Sequence, residues 1–539
     1  MTDIVSKFKL CVLPTQHGKT FTIIEEINRV IVCNNTSNRS IHIIFTMNTF
    51  LCNKQFAKRL GTIQQKYGEG SVCVLSSKKD KDNTYRHVKN ERELLGICFD
   101  KSTCPLIVVM CSNSKRFSDG VKFINKMSSN DNHIKEIYVY YDELHSYIND
   151  NVKSQIEEIN GLDIVKKITA LTATPNKIFE DTGLFWSKIQ LIDLSDFNSI
   201  NYSGCDDVVF NNIEDYFIKP YKRPSRLDGG VEMETFKYID YVLTKHPEIL
   251  GDNTISFIPG HIRTAGHNKI RDLINTKNNK SVVIMINGKE KNITYNDLLG
   301  NKIILDLTPD GSEEFSDTFS RLIKQYKLED RPIVITGYNC VGMGQTLTSE
   351  TLGTFTSAIF GHMDISDDKM YQLFGRTTGR SKHWEKYAKT NVYCTSIIQN
   401  TCMLMEKSAK NLAIKHNGKI VTLEQYTELM RNNVNIRPQK IKKENKRVNE
   451  DNFMIKLFET RNDATIFIKD KFGVNARIAD KPTKDLLQAN GDNPTYESIL
   501  KRKWGLNKNS KIRACHTFED KWCVWWREET LLILKDNEN

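Results

Sequence analysis

Residues 7–195 carry a series of short runs rich in β-branched residues, FKLCVLP, IHIIFT, SVCVLS, LIVVMC, EIYVYYD and KKITALTAT, separated by longer stretches with helical spacing such as 19–30 and 53–67. A short apolar run bounded by polar residues is what a strand buried on both faces looks like. Strands that alternate with helices lie parallel, because each helix returns the chain over a face of the sheet. The pattern predicts an α/β domain. It recurs further on, through NTISFIPG, SVVIMING, RPIVITGYN, TFTSAIFG and NVYCTSI, after a polar stretch punctuated by KPYKRPSRLDGG.

The expected organisation is therefore an α/β domain over 1–195, a linker over 196–230 and a second α/β domain over 231–430. After the basic run RPQKIKKENKRVNED, a smaller α+β domain is expected over 431–539, with a hairpin from Ile512 to Arg527. A chain of 539 residues fits roughly three such domains. With 39% hydrophobic and 27% charged residues the composition is that of a soluble globular protein. No stretch approaches the roughly 18 uninterrupted apolar residues that a membrane helix needs, so no membrane partner is expected. The N-terminal sequence lacks the features of a secretion signal, and the 13 cysteines include no Cys-x-x-Cys pair. Both point to reduced core thiols in an intracellular compartment, cytoplasmic or nuclear. The excess of 77 basic over 66 acidic residues, a net charge of +11, is compatible with a polyanionic partner without demanding one.

The stretch LPTQHGKTF joins the first strand to the first helix. A loop in that position aims backbone N–H groups and the positive end of the helix dipole at one spot, where a phosphate can sit. Thr15, Gln16, His17 and Gly18 would form the cradle, Lys19 would neutralise β/γ-phosphate charge, and the Thr20 hydroxyl would be a hard oxygen ligand for Mg²⁺. Leu13 stands where the strict form of this loop has its first glycine. Another strand, EIYVYYD, ends in Asp-Glu-Leu-His. In a doubly wound sheet the ligand crevice lies beyond the carboxyl ends of the strands, so Asp142 should face Lys19 and Thr20 across it. Asp142 could then hold Mg²⁺ while Glu143 positions and deprotonates the water that attacks a γ-phosphate.

Taken in order, PTQHGKT, DELH, TATP (within Leu171 to Pro175) and QLFGRTTGR (within Tyr371 to Arg380) resemble motifs I, II, III and VI of superfamily-two helicases of the DExH branch. The chain is similar to helicases of large DNA viruses and phages in this respect, and a viral source is one expectation. The resemblance implies two RecA-like domains whose cleft binds ATP and Mg²⁺ and whose upper face binds a nucleic-acid strand, with DNA favoured over RNA. It implies that His145 and Thr172 or Thr174 couple hydrolysis to the strand. It also implies that Gln372 and an arginine reach the γ-phosphate from the second domain. Gly379 stands where the motif's second arginine is usual and Arg380 one place later, so Arg376 and Arg380 both remain candidates for the finger. TGYNCVGMGQTLT resembles motif V, with Gly344 toward the nucleotide and no acidic residue after it. Only about thirteen residues precede the loop, too few for an upstream glutamine motif that reads adenine.

Thr46 and Asn48 in IFTMN, Ser112 in VMCSNSKRF and Arg263 in FIPGHIRTAGHNKI fall where the family contacts the strand, and hydroxyls, amides and arginines there suit phosphate oxygens. The aromatic run KWCVWWRE reads as the core of a small hairpin rather than as a stacking platform. Two rival functions stay open: an RNA helicase, and a non-hydrolysing scaffold that retains the fold. Oligomeric state is not legible.

Overall fold

The computed structural model describes residues 6–33, 39–47, 56–77, 85–129, 133–179, 184–194, 200–213, 230–261, 263–307, 315–342, 346–361, 365–431, 453–472, 512–516 and 521–527. The chain forms two compact units, Met1–Ile436 and Arg437–Asn539.

The first unit is built on two sheets. Strands β1 (Phe8–Val12), β2 (Arg39–Thr46), β3 (Val72–Leu75), β4 (Arg86–Val88), β5 (Ile107–Cys111), β6 (Ile134–Tyr141), β7 (Val165–Thr172) and β8 (Lys188–Leu191) precede the second sheet in sequence. That second sheet holds β9 (Val209–Asn212), β10 (Ile255–Phe257), β11 (Val282–Ile286), β12 (Lys291–Asn296), β13 (Lys302–Asp306), β14 (Ile333–Gly337), β15 (Ser357–Ile359) and β16 (Asn391–Cys394). With β17 (Ile420–Thr422) at its edge, the nine-stranded first sheet runs β17-β8-β1-β7-β6-β2-β5-β3-β4, parallel except for β17. The eight-stranded second sheet runs β13-β12-β11-β14-β10-β15-β16-β9, parallel except where β12 pairs with β11 and β13. These are two α/β domains in tandem, each on a mostly parallel sheet.

Period-two alternation explains why both faces of the first sheet are dry. Leu10 and Val12 of β1 point into one apolar core with Ile41, Ile43 and Phe45. Cys11 and Leu13 point into another with Ile44, Val109, Tyr140 and Leu171. The second sheet repeats the arrangement, with Phe257, Ile284 and Ile335 on one face and Ile258, Val283 and Val334 on the other.

Two segments differ from the expected organisation. Residues 200–213, inside the stretch expected as a linker, supply β9, which pairs parallel with β16 at the edge of the second sheet. An edge strand is covered on fewer sides, so VFNN has no apolar run to betray it. The segment 396–430, expected wholly within the second domain, returns to the first. Its helix Ser396–Lys415 carries one apolar stripe at helical spacing, Ile398, Cys402, Met405, Ala409 and Leu412. The first three of these pack into the core of the second sheet and the last two into that of the first. The chain then adds β17 antiparallel to β8. One helix therefore spans both domains.

The second unit contains a three-stranded antiparallel sheet, β18 (Phe453–Phe458), β20 (Trp522–Arg527) and β19 (Ile512–His516) in that order, with the helix Arg461–Phe472. Ala464, Ile468, Val524 and Trp526 form its core, and Trp522 packs against them. No helix among the described residues is long and apolar enough to cross a membrane.

Candidate active site

The loop after β1 turns without a glycine at position 13 because Leu13 still belongs to the sheet: its N–H donates to Thr172 O at 3.1 Å and its side chain is buried. The turn is made later, by Gln16 (φ 57°) and Gly18 (φ 99°). Two left-handed residues this close together curl successive N–H groups toward one side, a concavity suited to an anion. Lys19 opens the helix Lys19–Cys33 and is nearly buried. Its Nζ lies 3.2 Å from Glu143 Oε1 and donates to Pro14 O at 3.4 Å.

Strand order brings the acidic pair to the same edge, since only β7 separates β1 from β6. Asp142 continues the ladder, its N–H donating to Phe45 O at 2.8 Å. Glu143 then adopts φ 50°, ψ 47°, a left-handed conformation that costs a non-glycine residue about 1–2 kcal/mol. That turn places its carboxylate against Lys19. The second oxygen, Oε2, accepts from Gln372 Nε2 at 3.4 Å and lies 3.4 Å from His145 Nδ1. His145 Nδ1 shares a 2.8 Å hydrogen bond with Thr172 Oγ1, which also accepts from the N–H of Thr174 at 2.9 Å. The expected coupling residues thus form one buried chain from the carboxylate to the end of β7.

Charge in this cluster is unevenly distributed. Burial raises the Asp142 carboxyl, and the neighbouring Glu143 raises it further, while Lys19 and Arg59 pull the other way, leaving it near 7. Burial also acts to raise Glu143, but Lys19 and then His145, with a smaller contribution from Arg376, outweigh it and hold the carboxyl below the usual range. His145 itself is driven down to about 4, chiefly by burial, so at neutral pH it serves as a hydrogen-bonding partner.

A cleft of about 630 Å³ opens between the two sheets, lined by Gly18, Lys19, Thr20, Asp142, Glu143, Gln372 and Arg376 among others. The two arginines occupy different places. Arg376 is buried in the cleft wall, whereas Arg380 is exposed and its Cδ lies 3.9 Å from where a Cβ on Gly18 would stand. Of the two, Arg376 is the one set in the cleft. Thr15 lines the cleft with its polar groups already engaged, and His17 does not line it. Thr15 packs against residues 375–378, its Oγ1 3.3 Å from Thr378 Oγ1, and the His17 ring lies 4.3 Å from that of Tyr202.

Arg59, which no motif marks, also lines the cleft. It donates to Thr20 Oγ1 at 3.3 Å and to Thr346 Oγ1 at 3.2 Å, one residue from each domain. Tyr202 and Glu406 are likewise invisible to motif reading, since they act on the loop only through the fold. Gly344 and Asn48 lie outside the described residues.

Of the expected strand contacts, Thr46 ends β2 with its hydroxyl buried and directed to Met47 O at 3.4 Å, so its side chain is not presented at the surface. Ser112 sits beside it, its N–H donating to Thr46 O at 2.9 Å. Arg263 stands at the start of the helix Thr264–Lys277, on a smaller cavity of about 190 Å³ that also takes in His261 and Lys269.

The donor set fits Mg²⁺. Thr20 and Asp142 offer a hydroxyl and a carboxylate, hard oxygens of the kind Mg²⁺ takes in ones and twos beside phosphate oxygens, and the raised Asp142 carboxyl is one that a cation would stabilise in its charged form. Among the described residues there is no group of three or more His, Cys, Asp or Glu side chains placed to hold a metal by themselves.

No family model and no curated protein matches the sequence of this chain. Similar solved structures include the DUF1998 helicase MrfA bound to DNA, at 13% identity over 76% of this chain and 47% of that one, with a TM-score of 0.40. The Escherichia coli DEAH/RHA helicase HrpB is 11% identical over 79% of this chain and 47% of that one, with a TM-score of 0.38. The DEAD-box helicase Mss116 bound to ssRNA and UDP-BeF is 10% identical over 78% of this chain and 71% of that one, with a TM-score of 0.42. The chain spans about half the length of the first two.

Proposed function

We propose that this chain is a nucleic-acid-dependent ATPase, a helicase or translocase that uses hydrolysis between its two RecA-like domains to move along or unwind a strand, with DNA the favoured track and RNA the alternative. The observation that carries this reading is the meeting of Lys19, Asp142 and Glu143 from the first domain with Gln372 and Arg376 from the second in one cleft.

In this reading the N–H groups of residues 16–19 and the Lys19 ammonium hold the β- and γ-phosphates. Thr20 and Asp142 hold Mg²⁺, which neutralises phosphate charge when bound. Glu143, kept ionised by its cationic neighbours, orients a water and takes its proton. Gln372 holds Glu143 from the far side, and Arg376 meets the charge that builds on the transferred phosphoryl group. The chain Glu143–His145–Thr172–Thr174 links the reacting centre to the strand ends of the first domain, on the side where Ser112 lies. Arg263, at a helix start in the second domain, supplies a phosphate contact to the track.

Equilibrium binding of Mg·ATP to the wild type and to Lys19→Ala tests the site itself. Tight binding by the wild type, lost in the variant, is expected. Equal affinity in both would remove the phosphate-binding role from this loop.

A further inference from the structure

All three polar groups of Thr15, in the middle of the phosphate-binding loop, are held by residues that come much later in the chain. Its N–H donates to Tyr371 Oη at 3.4 Å, its Oγ1 pairs with Thr378 Oγ1 at 3.3 Å, and its carbonyl accepts from Tyr202 Oη at 3.1 Å. Behind Tyr202 stands Glu406, 1% exposed, on the helix that spans both domains. Its carboxylate accepts from the N–H of Cys205 at 3.0 and 3.1 Å and pairs with Lys410 Nζ at 2.7 Å, and its Oε2 lies 3.2 Å from Tyr202 Oη, whose one proton is shared between this oxygen and the Thr15 carbonyl. The fit is close: a Cβ on Gly204 would stand 2.2 Å from Glu406 Oε1, so only glycine lets the chain pass there.

We propose that Tyr202, seated on Glu406, is a positioning residue that sets the phosphate-binding loop from outside the first domain. This rests on the ATPase reading and names the residues that prepare its loop. The Thr15 carbonyl and the Gln16 N–H belong to one planar trans unit and point in opposite directions, so fixing the carbonyl toward Tyr202 turns the N–H away from it, at a residue that lines the cleft. Gln16 then takes φ 57°, a left-handed conformation that a non-glycine residue keeps only where its surroundings over-determine it. The His17 ring against Tyr202 fixes the loop one residue further on. A buried carboxylate is costly unless paired, and the Cys205 N–H and the Lys410 ammonium hold Glu406 in place beside Tyr202, which makes it a rigid seat.

The test uses the full chain and Tyr202→Phe, which keeps the ring against His17 and removes only the hydroxyl. Loss of one such hydrogen bond should weaken Mg·ATP binding by roughly three- to tenfold and speed amide exchange over residues 13–20. kcat at saturation should change little, because the loop grips ground and transition state alike. Gln16→Gly, which removes the left-handed penalty, should recover much of the affinity in the Tyr202→Phe background. Unchanged affinity together with unchanged exchange over 13–20 would overturn the proposal, as would a lowered melting temperature with no change at the loop. A wild type that binds no Mg·ATP would overturn the ATPase reading instead, and amide exchange over 13–20 would still decide the role of Tyr202.

Discussion

Lys19 Nζ lies 3.2 Å from Glu143 Oε1, and this ion pair joins the loop proposed to bind phosphate to the carboxylate proposed to activate water. Two substitutions separate the roles. Glu143→Gln keeps shape and most hydrogen bonds but cannot accept a proton, so hydrolysis should fall about 10²–10⁴-fold with Mg·ATP affinity retained. Lys19→Ala should lose binding as well. Single-turnover hydrolysis beside equilibrium binding distinguishes them.

Arg376 is buried in the cleft wall and Arg380 is exposed over Gly18. Arg376→Ala should therefore reduce turnover by about 10³–10⁵ while sparing much of the nucleotide affinity, as removal of an arginine finger does. Arg380→Ala should cost far less in kcat. The reverse ranking would assign the finger to Arg380.

His42 is fully buried between Tyr138 and Tyr140 of β6, and burial lowers its pKa to about 3. An unfolded histidine titrates near 6.5. Below that pH the unfolded chain binds a proton that the folded chain refuses, so stability is lost as pH falls from about 6.5 toward 3. At pH 5 this one site should cost roughly 2 kcal/mol relative to neutral pH. His42→Phe should flatten the fall of the urea midpoint between pH 7 and pH 5, whatever its effect at neutral pH.

Gly120 lies on the helix Ser114–Ser129, where a Cβ would stand 2.7 Å from Phe45 Cζ and 2.9 Å from Met110 Sδ. The helix rests on β2 and β5 through this gap. Gly120→Ala should destabilise the fold by about 1–3 kcal/mol through overpacking, despite alanine's better helix propensity. Denaturant unfolding would read it directly.

The central strands were legible because burial on both faces leaves an unbroken apolar run: IVVMC of β5 and VVIMI of β11 are buried throughout. Edge strands were not. RHV of β4 and VFNN of β9 need no such run, and the pairing of β17 with β8 depends on a helix that crosses between two cores. Lys19, Asp142 and Glu143 could be found because each sits at a strand end or helix start where chain geometry dictates the neighbourhood, whereas Gln372 and Arg376, late in the helix Asp367–Phe374 and just past it, were marked only by the resemblance of QLFGRTTGR to motif VI. Arg59, Tyr202 and Glu406 could not, because their partners are set by tertiary packing across hundreds of residues. The departure at position 13 finds its reason only in the fold, where Leu13 continues the strand and Gln16 makes the turn.

Steady-state ATP hydrolysis with Mg²⁺, measured without polymer and with single-stranded DNA, duplex DNA and RNA, and with Glu143→Gln as the blank, tests the motor reading most directly. A motor would show hydrolysis that one polymer stimulates and the variant loses. Wild type and variant equally inactive with every polymer, while nucleotide or nucleic acid still binds, would contradict it and leave a scaffold that keeps the fold without the chemistry.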